Sequence, residues 1–139
     1  MTTTMIYQAE RRFAKREHNT VTRAALVIAF WSIAAILVAL VHQRLDAGMP
    51  VASVVIKVGA IILIAAAYNK LAASEATLDH ALLSGTTWVL LGIATEIAIT
   101  ATSGRQWFAL LGSPANGGLR CVLLIAWVIA PALFVRHRD

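Results

Sequence analysis

Four long apolar runs alternate with shorter polar segments along the chain. The runs cover residues 24–41, 51–68, 81–101 and 119–135. A membrane-spanning α-helix needs about 20 predominantly apolar residues, with a range of roughly 17 to 25. Inside lipid a helix satisfies its own backbone hydrogen bonds, so helices are the structure expected for such runs. The pattern therefore predicts an all-α integral membrane protein, a four-helix bundle with up-down-up-down topology.

The composition supports a single membrane domain. Hydrophobic residues make up 59% of the chain and the mean hydropathy is +0.74, whereas soluble domains are about 45–50% apolar. We assign residues 24–139 to a four-span membrane domain and residues 1–23 to a basic cytoplasmic tail. Two interpretations of the tail stay open, an amphipathic helix on the inner leaflet and a solvated, disordered segment. The first run is longer than a signal-peptide core, so it is expected to remain as a span.

The positions of the basic residues predict the orientation. Lysine and arginine accumulate in cytoplasmic loops and tails. With a cytoplasmic N-terminus, eight lie on the inner side: Arg11, Arg12, Lys15, Arg16, Arg23, Lys70, Arg136 and Arg138. Three lie on the outer side: Arg44, Arg105 and Arg120. Both termini are therefore expected to be cytoplasmic, in a bacterial inner membrane. Because the net charge of +5 is explained by topology and anionic lipid, no nucleic-acid partner is expected.

Two ionisable side chains interrupt the apolar runs, Lys57 in the second and Glu96 in the third. Antiparallel spans would place both at a similar depth, about 8–9 Å inside the outer end. A lone charge at the centre of a span costs about 2.5–3.5 kcal/mol, so we predict an intramembrane pair between them. Two alternatives stay open. Lys57 could reach the outer headgroups by itself, or Glu96 could be a proton or cation site with Lys57 as its counter-charge.

Small residues predict the faces on which the helices pack. In the third run Gly85, Trp88, Gly92 and Thr100 share one stripe with Glu96, and glycines permit close backbone approach in lipid. The first run carries a comparable seam at spacings of three and four: Ala25, Ala29, Ser32, Ala35 or Ile36, and Ala39.

The third loop, residues 102–118, contains an apolar stretch that is too short to span. The apolar stretch reads Trp-Phe-Ala-Leu-Leu over residues 107–111. Glycines and a proline follow it in the rest of the loop, residues 112–118. We predict a short interfacial helix there, with Arg105 and Trp107 as anchors at the headgroups. In the fourth run Pro131 is predicted to kink the helix.

Catalytic and cofactor-binding patterns are missing from the sequence. All four histidines fall outside the apolar runs and lack ligand spacing: His18, His42, His80 and His137. We therefore expect no haem and no metal site. No nucleophile elbow or phosphate-binding glycine loop is found either. The expectation is a protein that is not an enzyme and carries no cofactor.

Trp88 and Glu96 of the third run are followed by a loop of the form G-x-x-W-x-x-L-L, and a glycine precedes a last run that contains proline. The residues of this pattern are Trp88, Glu96, Gly104, Trp107, Leu110, Leu111, Gly118, Pro131 and Phe134. In them the chain from Thr87 onward, about a third of its length, resembles a family of small, uncharacterised four-span bacterial membrane proteins. Residues 112–114 depart from it, standing where an acidic-aromatic stretch is expected, and residues 120–121 replace an aromatic. The resemblance implies the four-span fold and no particular activity.

Two functions follow from these observations. The first is an accessory or structural membrane protein that self-associates or binds another membrane protein. The alternative is an oligomeric small transporter or channel subunit in which Glu96 is the proton or cation site and Lys57 its counter-charge.

Overall fold

The computed structural model describes residues 2–71 and 77–135. Within these residues the chain is helical and contains no strand, as predicted. The four α-helices are α1 (Thr2–Leu45), α2 (Pro50–Leu71), α3 (Leu78–Ser103) and α4 (Gly117–Ile129). Two 3-10 helices, Pro114–Asn116 and Ala130–Phe134, flank α4. The predicted basic residues Arg136 and Arg138, and His137 between them, lie outside the described residues.

Four segments are long and apolar enough to cross a membrane: Asn19–Leu45, Pro50–Leu71, Leu78–Ser103 and Pro114–Phe134. They contain the first three apolar runs of the sequence and all of the fourth except Val135. This agreement supports the prediction of a membrane protein with four spans. The helical segments extend beyond the apolar runs because helix propensity continues into the polar residues that flank them.

Helix α1 continues through the basic segment without a break. No glycine or proline occurs between Thr2 and Leu45, so nothing in this stretch terminates a helix. Near its start, the Arg11 guanidinium donates to the Tyr7 hydroxyl at 3.2 Å and lies 5.0 Å from the centre of its ring. At 1.5 Å per residue, α1 is about 66 Å long. Residue 24 is therefore a boundary in hydropathy and not in secondary structure.

Four aromatic rings, one from each α-helix, form a continuous row through the core. Phe30 of α1 meets Tyr68 of α2 with ring centres 5.6 Å apart, and Tyr68 meets Trp88 of α3 at 5.8 Å. Trp88 then meets Trp127 of α4 at 6.1 Å. All three contacts are edge-to-face, an arrangement favoured by the aromatic quadrupole. We call these four residues the aromatic row.

The polar tips of the aromatic row bond to other helices. The Trp88 indole N–H donates to the Val27 carbonyl of α1 at 3.1 Å. The Tyr68 hydroxyl lies 3.3 Å from Ser84 Oγ on α3. Such hydrogen bonds add directional attachment where apolar packing alone provides little preference for one helix arrangement over another.

Glycine decides how closely α3 and α4 approach. A Cβ on Gly85 would overlap the backbone carbonyl of Val128, so no larger residue fits there without moving a helix. Gly85, Trp88 and Gly92 are buried on one face of α3, and Thr100 is half-buried at its end. The predicted face of α3 is thus the face that contacts the rest of the chain.

The predicted seam on α1 is different. Ala25, Ala29 and Ile36 are exposed, whereas Ala35 is buried in the core beside Ala34 and Val38. The other two members, Ser32 and Ala39, are half-buried. The sequence pattern indicated small residues at regular spacing but not which helix face the other helices cover. The prediction that this seam packs within the chain is wrong for its exposed members.

The last span changes helix type at its proline. Regular α-helix ends at Ile129, and Ala130–Phe134 is a 3-10 helix. Pro131 lacks a backbone N–H and cannot continue the α-helical hydrogen bonding. The Asn69 amide of α2 donates to the Pro131 carbonyl at 2.7 Å and to the Ala65 carbonyl at 3.1 Å. The α-helix is therefore interrupted next to Pro131, and a side chain of a neighbouring helix binds there; the kink of the helix axis stays a prediction.

Candidate functional site

The ammonium of Lys57 is enclosed at the corner between α1 and α2. Its side chain is 1% exposed. Its Nζ lies 3.0 Å from Asp46 Oδ1 and 3.2 Å from His42 Nδ1. The Ser53 hydroxyl donates to the same Asp46 oxygen at 3.0 Å. We call His42, Asp46, Ser53 and Lys57 the Lys57 cluster.

Helix periodicity explains how the Lys57 cluster forms. His42 and Asp46 are four residues apart at the end of α1, so they project from the same side. Ser53 and Lys57 have the same spacing near the start of α2. A tight turn joins the two helices, with the Met49 N–H donating to the Leu45 carbonyl at 2.9 Å. The turn brings the two pairs face to face.

The electrostatics of the Lys57 cluster favour an ionised Asp46. Partial burial alone would raise the pKa of this carboxyl. The hydrogen bonds from Lys57 and Ser53, together with the charges of Lys57 and His42, outweigh burial and leave the pKa of Asp46 below its ordinary value. His42 Nδ1 also lies 3.2 Å from Asp46 Oδ2. With a proton on Nδ1 the imidazole donates to Asp46, and without one it accepts from Lys57.

Glu96 is buried at another place and has another kind of partner. It is 8% exposed, and its Oε1 accepts the backbone N–H of Leu111 at 2.9 Å. The indole N–H of Trp127 donates to the Leu110 carbonyl at 3.0 Å. Adjacent residues of the third loop are therefore attached to α3 by a carboxylate and to α4 by an indole.

These contacts correct the predicted intramembrane pair. Lys57 and Glu96 are both buried, but no ion pair joins them. Lys57 binds Asp46, and Glu96 binds the loop backbone. Depth along the spans, on which the predicted pair rested, does not show the direction in which a side chain points. Asp46 stands four residues after His42 at the end of the first span, and this position was the signal that could have indicated the true partner of Lys57.

The third loop also differs from its prediction. Ala109, Leu110 and Leu111 are buried and form turns, and the only regular element in the loop is the 3-10 helix Pro114–Asn116. The apolar stretch is therefore folded inward against the helices, not laid on a surface as an interfacial helix. Gly112 makes this possible, since its φ of 86° lies in the left-handed region that favours glycine.

Close packing fixes the inserted segment over α3. A Cβ on Gly92 would lie 3.1 Å from Leu111 Cδ2, which is a tight contact. Glycine at this position lets Leu111 sit directly against the helix one turn before Glu96. At the other end of the loop Arg105 is exposed and Trp107 is half-buried. Their role as headgroup anchors stays a prediction.

A groove opens beside Glu96. It is lined by Glu96, Ile97, Thr100, Ala101, Trp107 and Phe108, and its volume is about 350 Å³. One wall is the last part of α3 and the other is the start of the third loop. We call it the Glu96 groove. Its lining combines one carboxylate and one hydroxyl with two aromatic rings and two aliphatic side chains.

Within residues 2–71 and 77–135, no three histidine, cysteine or acidic side chains are grouped so as to hold a metal ion. The cations that act electrostatically on Glu96 are Arg120 and Lys57. The Glu96 groove is therefore not built like a metal centre, and its chemistry is that of one acidic group in apolar surroundings.

No protein-family model matches the chain, and neither the curated proteins nor the solved structures contain a match. The resemblance noted in the sequence thus receives no support from these comparisons, and the site must be interpreted from its own geometry.

Proposed function

We propose that the chain is an accessory or structural membrane protein that associates with itself or with another membrane protein. It has no enzymatic role and no cofactor in this proposal. The observation that carries it is the internal pairing of buried polar groups beneath an apolar exterior. The five buried polar or charged residues of the described part of the chain each have a hydrogen-bond partner in the chain: Ser53, Lys57, Asn69, Ser84 and Glu96. The exception among buried polar atoms is the indole nitrogen of Trp31 on α1, which has no partner within the described part of the chain.

This pairing favours a packing role over a chemical one. Polar groups inside a membrane are costly and commonly mark a site of transport or proton transfer. Here most of them connect one helix to the next, which stabilises a fixed arrangement. The single-chain interior is filled by the aromatic row and the aliphatic residues around it. One copy by itself therefore offers little room for a pathway.

The exterior supplies surfaces that suit other helices. Gly59 lies on the exposed side of α2, and nothing comes within 4 Å of the position of its Cβ. Ala25 and Ala29 are exposed on α1. Small residues at membrane-helix surfaces allow another backbone to approach closely, which favours association by packing.

The proposed arrangement has up-down-up-down topology with both termini in the cytoplasm of a bacterial cell, and lipid surrounds the four helices. The distribution of lysine and arginine supports this orientation. Cys121 is the sequence's only cysteine and lies within the fourth span, so Gln106→Cys with Cys121→Ser places a single thiol on the exposed third loop instead. In intact inverted and right-side-out vesicles, a membrane-impermeant maleimide should label this thiol from the outer side only. Labelling from the cytoplasmic side would reverse the orientation.

The first experiment is mass analysis of the full chain purified in a mild detergent. A homo-oligomer, or a stoichiometric complex with a foreign membrane subunit, is expected, and a monomer without a partner would contradict the proposal. Gly59→Leu should shift the assembly toward the free chain, because the open space at Gly59 lets the variant fold. Leu63→Ile, one turn further along the exposed side, is the matched control and should leave the mass unchanged.

A second candidate is an oligomeric transporter or channel subunit with Glu96 as its proton or cation site. The observation in its favour is that Glu96 lines an open groove. In this candidate Lys57 does not act as the direct counter-charge, since Asp46 binds it. Proteoliposomes separate the two candidates. A proton-coupled flux that Glu96→Gln abolishes would favour transport, whereas only a loss of stability would favour the accessory role.

A further inference from the structure

We propose that the Glu96 groove binds a lipophilic organic cation, a positively charged ammonium or phosphonium centre carried on an apolar body. The proposal concerns a ligand site and holds whether or not the chain associates with a partner. It rests on the placement of one buried carboxylate between a helix and an aromatic-lined loop.

The carboxylate supplies the charge that recognises the ligand. Glu96 is the one ionisable side chain among the residues that line the groove. The backbone N–H groups of Leu111 and Leu110 act on it from the loop side. A carboxylate has about four lone-pair sites, so Glu96 can still accept hydrogen bonds from groups other than these loop amides. Because its loop partners are dipoles and not ions, its negative charge is not cancelled by direct contact.

The remaining lining suits the apolar body of the ligand. Trp107 and Phe108 present aromatic rings, whose faces attract cations as well as apolar groups. Ile97 and Ala101 add aliphatic surface on the α3 side. The volume of about 350 Å³ lies toward the lower end of the range for small-molecule sites, roughly 300–1,000 Å³. The ligand should therefore be compact.

The same lining argues against a hydrated inorganic cation. Calcium takes about six to eight oxygen ligands, and magnesium needs a near-octahedral set. Glu96 and Thr100 are the polar side chains that the groove provides. An organic cation is weakly hydrated and needs few oxygen ligands. Arg120 and Lys57 also act on Glu96, so binding depends on apolar contact as well as on charge.

The test is equilibrium dialysis of radiolabelled tetraphenylphosphonium against the purified full chain in a neutral maltoside detergent. We expect saturable binding that Glu96→Gln weakens about tenfold or more, since the ligand then loses its counter-charge. Trp107→Leu should weaken binding by a smaller factor. Asp79→Asn is the matched control, because it removes an exposed acidic charge from the first turn of the same helix. It should leave binding unchanged.

Two additions keep the result decisive. Gln retains a carbonyl that can accept the Leu111 N–H, and the melting temperature of Glu96→Gln verifies folding. Ala101→Arg places bulk and positive charge on an exposed groove position without touching Glu96, and it should abolish binding even if Glu96→Gln folds poorly. Triphenylphosphine oxide, a neutral compound with a similar apolar body, should not displace the probe.

The proposal is overturned by any of three results. These are the absence of saturable binding, equal affinity in a folded Glu96→Gln, and displacement by the neutral compound as effective as by unlabelled probe. Added phosphatidylethanolamine identifies the source of the natural ligand. Competition with the probe would indicate a lipid amine headgroup, and the absence of competition would indicate a free cation.

Discussion

The Lys57 cluster and the Glu96 site each bury one charged side chain, but they stabilise its charge in different ways. Lys57 meets a carboxylate 11 residues away in sequence, across a single helix corner. Glu96 meets a backbone N–H 15 residues away, in a loop that folds back over its own helix. The first arrangement pairs two full charges and occupies the ammonium. The second holds a charge with dipoles and leaves it beside an open groove.

The difference suggests a general way to interpret buried charges in membrane helices. A charge paired with an opposite charge costs most when either partner is removed, and its role is to fix structure. A charge held by dipoles remains a net charge, so it can still attract a ligand. The predictions below test whether these two sites differ in this manner.

The largest effect is expected from Asp46→Ala. This change leaves the Lys57 ammonium enclosed without its counter-charge, and breaking a buried ion pair costs about 3–5 kcal/mol. Because Asp46 itself is 35% exposed, water can replace part of the contact, and we expect about 2–3 kcal/mol. Denaturation in detergent measures it. The double variant Asp46→Ala/Lys57→Met should lose clearly less than the sum of the two single losses; simple addition would show that the pair does not interact.

The next effect concerns the partner of Glu96. Glu96→Leu leaves the Leu111 N–H without its acceptor, and an unsatisfied buried donor costs about 1–3 kcal/mol. Glu96→Gln keeps an acceptor and should cost well under half as much. The unfolding midpoints of the two variants provide the comparison. If Gln is as destabilising as Leu, the charge itself, and not the acceptor, stabilises the loop.

A smaller effect is expected from Trp127→Phe. The ring position is retained, but the Leu110 carbonyl loses the indole donor, which is worth about 1 kcal/mol. Hydrogen exchange should show faster exchange at residues 109–111 and little change at the corner between α1 and α2. Equal acceleration at both places would mean that the loop and the corner unfold as one unit.

The smallest effect is the pH dependence of the Lys57 cluster. The folded-state pKa of Asp46 lies below its ordinary value, so the folded state binds fewer protons than the unfolded state near that pH. The stabilisation is fully present above the unfolded-state pKa, about 4. It is lost as the pH falls through the folded-state pKa. The imidazole of His42 contacts Asp46 and gains its proton in the same experiment, so the comparison is made with His42→Gln in both proteins. In that background the stability difference between the protein with Asp46 and its Asp46→Asn variant should be constant from pH 5 to 7 and shrink below about pH 4. A difference that grows in acid would contradict the direction of the shift.

The sequence predicted the four helices because hydropathy is a local property that a single run of residues displays. It identified Pro131 as the place where the fourth helix is disturbed for the same reason, since a missing N–H acts on its own helix. The apolar run that begins at residue 24 did not indicate where the first helix begins, because polarity changes there while helix propensity does not. Local chemistry was readable wherever the relevant partners lie within one helix turn.

The charged contacts were harder to predict because they depend on the direction in which a side chain points. Lys57 and Glu96 were predicted to pair because they lie at a similar depth along their spans. In the structure the turn between α1 and α2 places Lys57 against Asp46. The inward fold of residues 109–111 depends on Glu96, Gly92 and Trp127, which come from two different helices. No window of sequence contains that information.

The aromatic row has a mechanical consequence. Each of its rings belongs to a different helix, and each contact spans about 6 Å between ring centres. Sliding one helix lengthwise by a single turn, about 5.4 Å, would carry its ring past its neighbour and break the row. Gly85 also resists such sliding, because α3 packs there directly against the backbone of α4. A conformational change of this protein should therefore tilt the four spans together. Relative displacement should be confined to the loops and to the part of α1 that precedes the first span at Asn19.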